Sequence, residues 1–470
     1  MKDHRLVVVS NRLPALKQDT DWKSGRVNLA GGLVTALLPV MEKSRKGLWL
    51  GWSGRGTGER GSGRCKEIDH PLVRLLGMDL SEKDLDEYYN GFCNRTLWPM
   101  FHCFQARVRV DYGEQKTYFQ VNKKFSRALA HLLEPDDIVW VHDYHMIPLG
   151  QFLRQAGFRG PLGFFLHIPF PPLELIELLP DPISFMKAWL AYDVVGFHTE
   201  RYSENYFEVI SRLRLAKREE NQLVYAEGRQ RVMVNPIGIN PAIFSPKKET
   251  RRKAAKRKSI RMSPDCRVIF GVDRLDYSKG IPDRIRSFEY FLRHRPAWRR
   301  KVCMVQVCSP SRTRVREYRE QKEMVDNLVG RINGELSEHD WHPLRYLYRT
   351  YDQSDLASFY RDADVALVTP LRDGMNMVAM EYVAAQEPED PGVLVLSKCT
   401  GVAEYFPDTI LVNPYIMESV ADGLEKALTM PLSKRKYLYR SMMRFIENNT
   451  SHHWANRFID ALVDDPASLG

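Results

Sequence analysis

Residues 268–280 read Val-Ile-Phe-Gly-Val-Asp-Arg-Leu-Asp-Tyr-Ser-Lys-Gly, and a helical pattern, Asp283–Leu292, follows shortly afterwards. The short apolar run at the start is typical of a strand that is buried on both faces of a parallel sheet. The polar residues after it form a turn that Gly280 closes before the helix. A strand, a polar turn and a helix in this order predict an α/β protein, in which helices cover both sides of a parallel sheet.

The same order of elements recurs along the chain. Further helical patterns lie at Lys123–Leu133, Ala379–Ala385 and Trp454–Val463. The apolar runs that predict strands are Arg5–Ser10, Leu48–Trp52, Ile138–Val141, Leu162–His167, Val194–Phe197, Val232–Asn235, Val268–Val272, Val302–Val307, Val365–Thr369, Val393–Leu396 and Ile410–Val412. Because domains of about 100–200 residues are usual, the 470 residues predict two such sheets in two domains.

A stiff segment rich in Pro and Gly, Pro236–Pro241, is the best place for the domain boundary. We predict an N-terminal domain at residues 1–237 and a C-terminal domain at 238–452, and we expect residues 453–470 to form a helix that packs back on the N-terminal domain. The basic run 247–261 carries nine Lys or Arg and is interpreted as a solvated linker or helix face. A nucleic-acid patch is the alternative interpretation, but the run lacks interleaved aromatic residues and no nucleic-acid module is recognised.

The composition is that of an ordinary globular protein, with 44% hydrophobic and 27% charged residues. No apolar run reaches the roughly 18 residues of a membrane span, and Leu6–Val9 is too short for a signal-peptide core. The seven cysteines are scattered without a C-x-x-C pair, which argues against a disulfide framework or a zinc site. We therefore expect a cytoplasmic protein without a membrane partner. The net charge of +10 suits anionic ligands.

Polar or cationic residues follow six of the predicted strands. In open parallel sheets, ligands bind beyond the carboxyl ends of the strands. The six segments are Ser10–Arg12, His142–His145, His167–Pro171, Asp273–Gly280, Cys308–Arg312 and Pro370–Asn376. Since they come from both halves of the chain, we expect one cleft between the two domains, with walls from both.

Two of these segments suit a nucleotide. Arg274 and Lys279 place two cations next to a helix start, which favours a diphosphate. Gly374 permits a tight turn within Asp373–Asn376, and the amides that follow point along the next helix, where they stabilise phosphate oxygens. Glu381 lies about two turns beyond Asp373. Its carboxylate is interpreted as a ligand of a ribose, and an ordinary exposed helix Glu is the alternative.

Arg12 and Arg312 look like a separate cationic pair. A dianionic phosphate on a second substrate needs such a pair. Tyr89 and Trp98 have the flat apolar rings that stack on a sugar face, although aromatic residues of this kind more often belong to a core. The arginine pair is thus interpreted as a phosphate site for a second substrate, and for the two aromatic residues a sugar face and a core position stay open.

One glycine pattern does not indicate a dinucleotide site. Residues 56–61 match G-x-G-x-x-G after a predicted strand, but no apolar helical pattern follows them. The structural context that the motif requires is therefore missing. We interpret residues 54–63 as a mobile loop over the cleft.

At this level of detail the chain resembles the trehalose-6-phosphate synthases, glycosyltransferase family 20. The matching segments run in family order from about residue 5 to residue 456, nearly the whole chain. They are SNRLP, AGGL, LWLGWSG, DEYYNGF, LWPMFH, VWVHDYHMIPL, GFFLHIPFP, GVDRLDYSKGIP, GRING, LVTPLRDGMNMVAMEYVAAQ and PGVLVLS.

The resemblance implies a GT-B fold, two Rossmann-like doubly wound parallel-sheet domains facing each other across a cleft. The N-terminal domain would bind the acceptor and the C-terminal domain the nucleotide-sugar. The implied reaction moves glucose from UDP-glucose, or another NDP-glucose, to glucose-6-phosphate with retention, and gives trehalose-6-phosphate and UDP. It is expected to proceed by front-face attack, with the leaving phosphate taking the acceptor proton. Neither a cofactor nor a metal is expected.

The resemblance also assigns roles to residues of this sequence. Catalytic roles, either on the leaving UDP or at the reaction centre, are implied for Arg274, Lys279, Asp143 and His167. Donor binding is implied for Gly32, Arg274, Lys279, Asp373, Gly374, Met375, Asn376, Met377 and Glu381. Acceptor binding is implied for Arg12, Tyr89, Trp98 and Arg312.

Two departures from the family pattern bear on the site. Met380 stands where a Lys is common, so a surface contact is expected to differ. The segment Lys17–Leu29 is longer than in compact relatives, which is expected to alter the acceptor pocket or its lid.

Three other functions were weighed against this one. A sibling transferase would use another phosphorylated acceptor, such as glycerol-3-phosphate, and make a glucosylglycerol phosphate. A catalytically silent sugar-phosphate-binding protein would have lost Arg274, Lys279 or Glu381, and all three are present. A nucleic-acid binder is not expected. A homo-oligomer is possible, and a separate trehalose-6-phosphate phosphatase is expected to act downstream.

Overall fold

The computed structural model describes residues 4–13, 32–41, 47–68, 73–246, 259–261, 263, 265–312 and 315–464. The chain divides into two units, Met1–Ile237 together with Ser451–Gly470, and Gly238–Thr450. The long segment Lys17–Leu29 and residues 247–258 of the basic run lie outside the described residues.

In the described part of the first unit, ten strands form one sheet in the order β3-β4-β2-β1-β5-β6-β7-β10-β9-β8. The strands are β1 Leu6–Arg12, β2 Leu48–Thr57, β3 Cys65–Ile68, β4 Arg74–Ser81, β5 Ile138–His142, β6 Leu162–Phe165, β7 Val194–Phe197, β8 Lys217–Glu219, β9 Gln222–Tyr225 and β10 Gly228–Val234. The run from β4 to β10 is parallel, and β3, β8 and β9 add antiparallel edges.

In the described part of the second unit, six parallel strands follow the order β13-β12-β11-β14-β15-β16. They are β11 Arg267–Arg274, β12 Val302–Ser309, β13 Leu344–Tyr348, β14 Val365–Val368, β15 Val393–Ser397 and β16 Ile410–Val412. If β11 is counted as strand 1, the strand order is 3-2-1-4-5-6, which is that of the Rossmann fold. The direction in which successive strands are added to the sheet reverses between β11 and β14. The first sheet reverses in the same way between β1 and β5. Ligands are expected beyond the carboxyl ends of these two strand pairs.

Helices connect the strands in both units. The first unit contains Gly32–Met41, Glu82–Asp84, the π-helix Leu85–Leu97, Trp98–Phe101, Tyr112–Ala130, Leu149–Gln155, Leu173–Ile176, Pro182–Lys187, Glu200–Arg212 and Ser451–Val463. The second unit contains Ile281–His294, Arg316–Leu336, Gln353–Asp362, Met377–Ala385, Met417–Leu428 and Leu432–Asn448. None of the helices within the described ranges combines the length and apolar character needed to span a membrane.

The last helix of the chain, Ser451–Val463, packs on the first sheet. The Phe458 ring stacks on Trp140 of β5 with ring centroids 4.6 Å apart. Gly163 of β6 leaves the room for this helix, since a Cβ atom there would lie 2.6 Å from Phe458 and 2.7 Å from Leu462. The Asn235 amide also donates to the Trp454 carbonyl at 2.9 Å. The helix therefore completes the core of the first unit.

The prediction of a parallel α/β fold is confirmed, and all eleven predicted apolar runs form strands. The predicted loop at residues 54–63 is wrong in its first half. Strand β2 continues to Thr57, where it pairs with Ser81 of β4 after a register shift. A short 3-10 turn follows at Glu59–Gly61, and the Gly63 amide donates to the Asp79 carbonyl at 2.9 Å. The sequence pattern did not predict this end of β2, because glycines there contribute no apolar side chains to the alternation.

Candidate active site

The turn after β11 is held closely against the segment after β14. Asp276 caps the turn by accepting a hydrogen bond from the Ser278 amide at 3.0 Å. Gly280 then adopts φ 59°, and a Cβ atom there would lie 3.0 Å from the Thr369 carbonyl oxygen. The Leu371 amide donates to the Ser278 carbonyl at 2.8 Å. A residue without a side chain is thus required where the two loops of the switch point meet.

Lys279 and Asp373 join these two loops directly. The Lys279 Nζ atom lies 2.5 Å from Asp373 Oδ2, and the two side chains are 12% and 14% exposed. Asp373 also accepts hydrogen bonds from the Gly374 amide at 3.0 Å and from Asn376 Nδ2 at 2.9 Å. Arg274, the last residue of β11, lies exposed at the same strand end. Arg274, Lys279 and Asp373, which are predicted to bind the diphosphate and the sugar of the donor, therefore all lie at this end of the sheet in the second unit.

The segment after Asp373 presents a helix N-terminus at this place. Asn376 adopts φ 74° and caps the helix Met377–Ala385, because its Oδ1 accepts a hydrogen bond from the Ala379 amide at 3.2 Å. The Met375 carbonyl accepts from the Val402 amide at 3.0 Å, which ties the loop to the segment after β15. Gly374, Met375 and Asn376 are buried. Backbone amides at such a helix start are suited to an anion.

Glu381 lies on the next turn of the same helix. Its Oε2 accepts a hydrogen bond from the Tyr360 hydroxyl at 2.8 Å. Burial raises the pKa of Glu381 to about 6, against the opposing effect of that hydrogen bond. Because the side chain keeps partial access to solvent, it is not the freely exposed helix Glu that was the alternative interpretation.

Met380, next to Glu381, is fully buried. The expectation that it changes a surface contact is therefore wrong. An apolar residue is suited to this position because the side chain packs inside the unit, where an unpaired ammonium group would be costly.

Arg312, predicted to pair with Arg12 as a phosphate site, lies in the second unit, whereas Arg12 lies in the first. The Arg312 Nη1 atom lies 3.1 Å from Asp276 Oδ2 and contacts the Tyr318 hydroxyl. Its side chain is 5% exposed, and its backbone adopts φ 45°. The guanidinium is therefore held by a buried carboxylate that the sequence interpretation did not single out.

In the first unit, Arg12 lies exposed at the end of β1. Its guanidinium carbon is 5.4 Å from the centre of the Trp52 ring, and the Trp52 and Tyr89 rings are 5.9 Å apart. Tyr89 belongs to the π-helix Leu85–Leu97 and is partly exposed. The Trp52 ring therefore lies near both Arg12 and Tyr89, two residues predicted to bind the acceptor, and π-helical turns are frequent at functional sites.

Trp98 is only 4% exposed. Its ring packs on His102 and Tyr144, with ring centroids 4.1 Å and 5.7 Å away. Trp98 is therefore a core residue, as the alternative interpretation of the sequence had it. It still lies near the predicted site, because Tyr144 directly follows Asp143.

Asp143 and His167 come together at the ends of β5 and β6. Asp143 adopts φ 71°, a strained conformation for a residue with a side chain, and its Oδ1 accepts from the His167 amide at 3.3 Å. His167 Nε2 lies 3.1 Å from His142 Nδ1. Burial lowers the pKa of His142 to about 3, and burial with the neighbouring His142 and His198 holds the pKa of His167 well below its usual value. The imidazoles of His142 and His167 are therefore uncharged at neutral pH.

Gly32, the remaining predicted donor ligand, begins the helix Gly32–Met41, and the described residues resume there. No group of three or more His, Cys, Asp or Glu side chains that could hold a metal ion occurs in the part of the chain that the structure describes.

Residues 4–464 match the sequence model of glycosyltransferase family 20. The chain belongs to this family. It is 40% identical over 464 residues to the trehalose-6-phosphate synthase of Sinorhizobium fredii, covering 98% of each chain.

Solved structures of family members have the same fold. A UDP-forming α,α-trehalose-phosphate synthase from Burkholderia xenovorans in complex with glucose-6-phosphate superposes with a TM-score of 0.87, is 35% identical and is matched over 98% of this chain and 100% of that one. A structure from E. coli, bound with UDP-2-fluoro glucose, has a TM-score of 0.88 and 37% identity over 98% of this chain and 99% of that one. The two parallel-sheet α/β units described above are consistent with a GT-B fold.

In this family 20 chain, Arg284 is a further residue that supports the site and that the sequence interpretation missed. Its side chain has no exposed surface, and its Nη1 atom lies 2.6 Å from Asp273 Oδ2. Its Nε atom donates to Thr369 Oγ1 at 2.9 Å, so the ends of β11 and β14 are bridged. The signal was present in the sequence, since residue 284 lies three positions after Ile281 and four before Phe288, on the apolar face of its helix.

Proposed function

We propose that this glycosyltransferase moves glucose from UDP-glucose to glucose-6-phosphate with retention of configuration and gives trehalose-6-phosphate and UDP. The observation that carries the proposal is the Lys279–Asp373 pair at the switch point of the second sheet, with Arg274 at the end of β11 and the N-terminus of the helix Met377–Ala385 shortly after Asp373. This arrangement offers cations and amides for a diphosphate and a carboxylate for sugar hydroxyls. The relatives at 35–40% identity are named trehalose-6-phosphate synthase and UDP-forming α,α-trehalose-phosphate synthase.

On the donor side, Arg274 and Lys279 would hold the diphosphate, and the amides of Gly374, Met375, Asn376 and Met377 would support the phosphate and the glucose. Asp373 would accept hydrogen bonds from glucose hydroxyls, and Glu381 would accept them from the ribose. Gly32 would bring backbone close to the donor. Glu381 is suited to this task above pH 6, where its carboxyl is ionised and can accept two hydrogen bonds.

On the acceptor side, Arg12 and Arg312 would bind the phosphate and Tyr89 would stack on the sugar ring. Trp98 exposes only 4% of its surface, so it would contribute an edge of the pocket rather than a stacking face. Trp52 would hold Arg12 through its ring. The acceptor is therefore expected to be recognised mainly by its phosphate.

The chemical step would be a front-face substitution. The bond from the anomeric carbon to the UDP oxygen breaks, the bond from that carbon to the acceptor hydroxyl oxygen forms, and the hydroxyl proton passes to the leaving phosphate. Arg274 and Lys279 would stabilise the charge that develops on UDP. Because His167 is uncharged, it would orient a sugar hydroxyl by hydrogen bonding rather than supply positive charge.

We propose that the two cations make a metal ion unnecessary, since they supply the charge stabilisation that a divalent ion gives elsewhere. Turnover is then expected to be unchanged by a chelator. We further propose a cytoplasmic location. The product keeps its phosphate ester, so a separate phosphatase is expected to release the free disaccharide.

The direct test is release of nucleoside diphosphate from UDP-glucose and from GDP-glucose, with glucose-6-phosphate, with glycerol-3-phosphate and with no acceptor. Release that needs glucose-6-phosphate and yields a non-reducing disaccharide phosphate supports the proposal and settles the donor base. Release only with glycerol-3-phosphate would assign the chain to the sibling activity. No release with any acceptor would refute a catalytic role and favour the silent binding protein.

A further inference from the structure

Asp276 is a fully buried carboxylate among the cations that are proposed to bind the two substrates. Its Oδ2 accepts from Arg312 Nη1 at 3.1 Å and from the Tyr318 hydroxyl at 3.2 Å. Its Oδ1 accepts from the Ser278 amide at 3.0 Å, inside the turn that carries Lys279. One carboxylate therefore contacts both the donor loop and the acceptor arginine.

The surrounding charges keep Asp276 ionised. Burial opposes ionisation, but Arg312 and Arg274 outweigh it, and the Ser278 amide and Lys279 act in the same direction, so that the pKa of Asp276 lies below its usual value. Since Lys279 also pairs with Asp373, the charges that Asp276 mainly balances are those of Arg312 and Arg274. Asp276 thus carries a negative charge among these cations.

The contact with Asp276 also decides how Arg312 is oriented. A guanidinium is planar and rigid, so hydrogen bonds from Nη1 to two acceptors, Asp276 Oδ2 and the Tyr318 hydroxyl, set the directions of the other N–H groups. Arg312 adopts φ 45°, a strained backbone conformation for a residue with a side chain. Tyr318, which is buried, contacts both Arg312 and Asp276 and closes the triangle.

We propose that Asp276 is a positioning residue that couples the two anion sites. Through Ser278 it orders the turn that presents Lys279 to the donor, and through Arg312 it orients the guanidinium that binds the acceptor phosphate, with Tyr318 as a second support. The proposal rests on the proposed function, because it takes Arg312 to meet the phosphate of the acceptor.

The test compares the dissociation constants of glucose-6-phosphate and of UDP, measured by calorimetry on the full chain, for Asp276→Asn and Tyr318→Phe. Loss of a hydrogen bond to a charged group is worth about a tenfold change in affinity or more. We expect Asp276→Asn to raise the dissociation constant of glucose-6-phosphate about tenfold or more, and that of UDP by a smaller factor. Tyr318→Phe leaves the Arg312–Asp276 ion pair in place. It should raise the dissociation constant of glucose-6-phosphate about threefold and leave that of UDP within about twofold of wild type.

Glu289→Gln is the matched control. Glu289 is a largely buried carboxylate of the same unit that pairs with Arg331 and Arg293, on the helix after the donor loop. Its loss should lower stability without changing either dissociation constant.

Glucose-6-phosphate affinity within about twofold of wild type in both variants would overturn the proposal, as would equal weakening of UDP and glucose-6-phosphate by Tyr318→Phe. If Asp276→Asn does not fold, the Tyr318→Phe result decides alone. Wild-type protein that binds no glucose-6-phosphate would instead overturn the proposed function, and that failure is visible without any variant.

Discussion

Replacing Lys279 with Ala tests the donor site most directly. The substitution removes the ammonium group that lies 2.5 Å from Asp373 and that is proposed to meet the diphosphate. Loss of one such electrostatic group typically costs about 10²–10³ in kcat, or roughly 3–4 kcal/mol of barrier. We expect a loss of this size with saturating UDP-glucose and glucose-6-phosphate.

The effect on stability should be smaller and separable. Asp373 keeps its hydrogen bonds from the Gly374 amide and from Asn376, so no bare carboxylate is left behind. Losing one hydrogen bond to a charged group costs about 1.5–3 kcal/mol. Since proteins of this kind are stable by about 5–15 kcal/mol, nearly all of the variant remains folded at 25 °C and unfolding does not explain the loss of activity.

Lys322→Ala is the control for this variant. Lys322 also lies 2.5 Å from a carboxylate, that of Asp326, but on the exposed surface of the helix Arg316–Leu336. UDP release should be unchanged in it, because exposed ion pairs contribute little. If Lys279→Ala turns over within about threefold of wild type, Lys279 does not stabilise the leaving group and the assignment of the donor site fails.

Three further predictions follow from the described geometry. The pKa of Glu381 is raised to about 6, so its carboxylate becomes protonated and the KM for UDP-glucose should rise as the pH falls through 6. The variant Glu381→Gln should have a high KM that no longer depends on pH in this range. A wild-type KM that is constant from pH 5 to pH 7 would contradict this. Gly280→Ala should lower the free energy of unfolding by about 1–3 kcal/mol in chemical denaturation, since it combines φ 59° with a Cβ atom 3.0 Å from a carbonyl oxygen; Gly334→Ala, where the added Cβ atom meets nothing within 4 Å, should not be destabilising. Arg284→Met should lower the free energy of unfolding by about 3–5 kcal/mol, because it leaves the buried Asp273 carboxylate without the guanidinium that pairs with it. A decrease below about 1 kcal/mol would show that Asp273 is neutral in the folded protein.

The parallel strands could be predicted because burial on both faces gives them continuous apolar runs. β1, β5 and β11 are the clearest cases. Strand β13 was missed since its residues Leu344–Tyr348 include an Arg and are only partly buried at the edge of the sheet. β4 was missed because Gly77 and Asp79 interrupt its pattern. Edge position and glycine content thus set the limit of the strand prediction.

The candidate site was predictable where residues follow strands in the sequence. Lys279 and Asp373 are 94 residues apart, yet both follow strands at a switch point, so the strand order brings them together. For the residues beneath the site the sequence gives less. The helical spacing places Arg284 on the apolar face of its helix and so predicts its burial, but which groups Arg284 and Tyr318 contact depends on packing that the local sequence does not contain.

Arg274, Lys279 and Arg312 look like independent cations when the sequence is read along its length. In the structure one buried carboxylate, Asp276, contacts Arg312, and the charges of all three cations lower its pKa. Substitution of any one of these cations changes the field on Asp276 and therefore the support of the others, so their effects on substrate affinity should not add. A double substitution of Lys279 and Arg312 whose losses multiply as independent factors would contradict this coupling, and losses smaller or larger than that product by more than about twofold would support it.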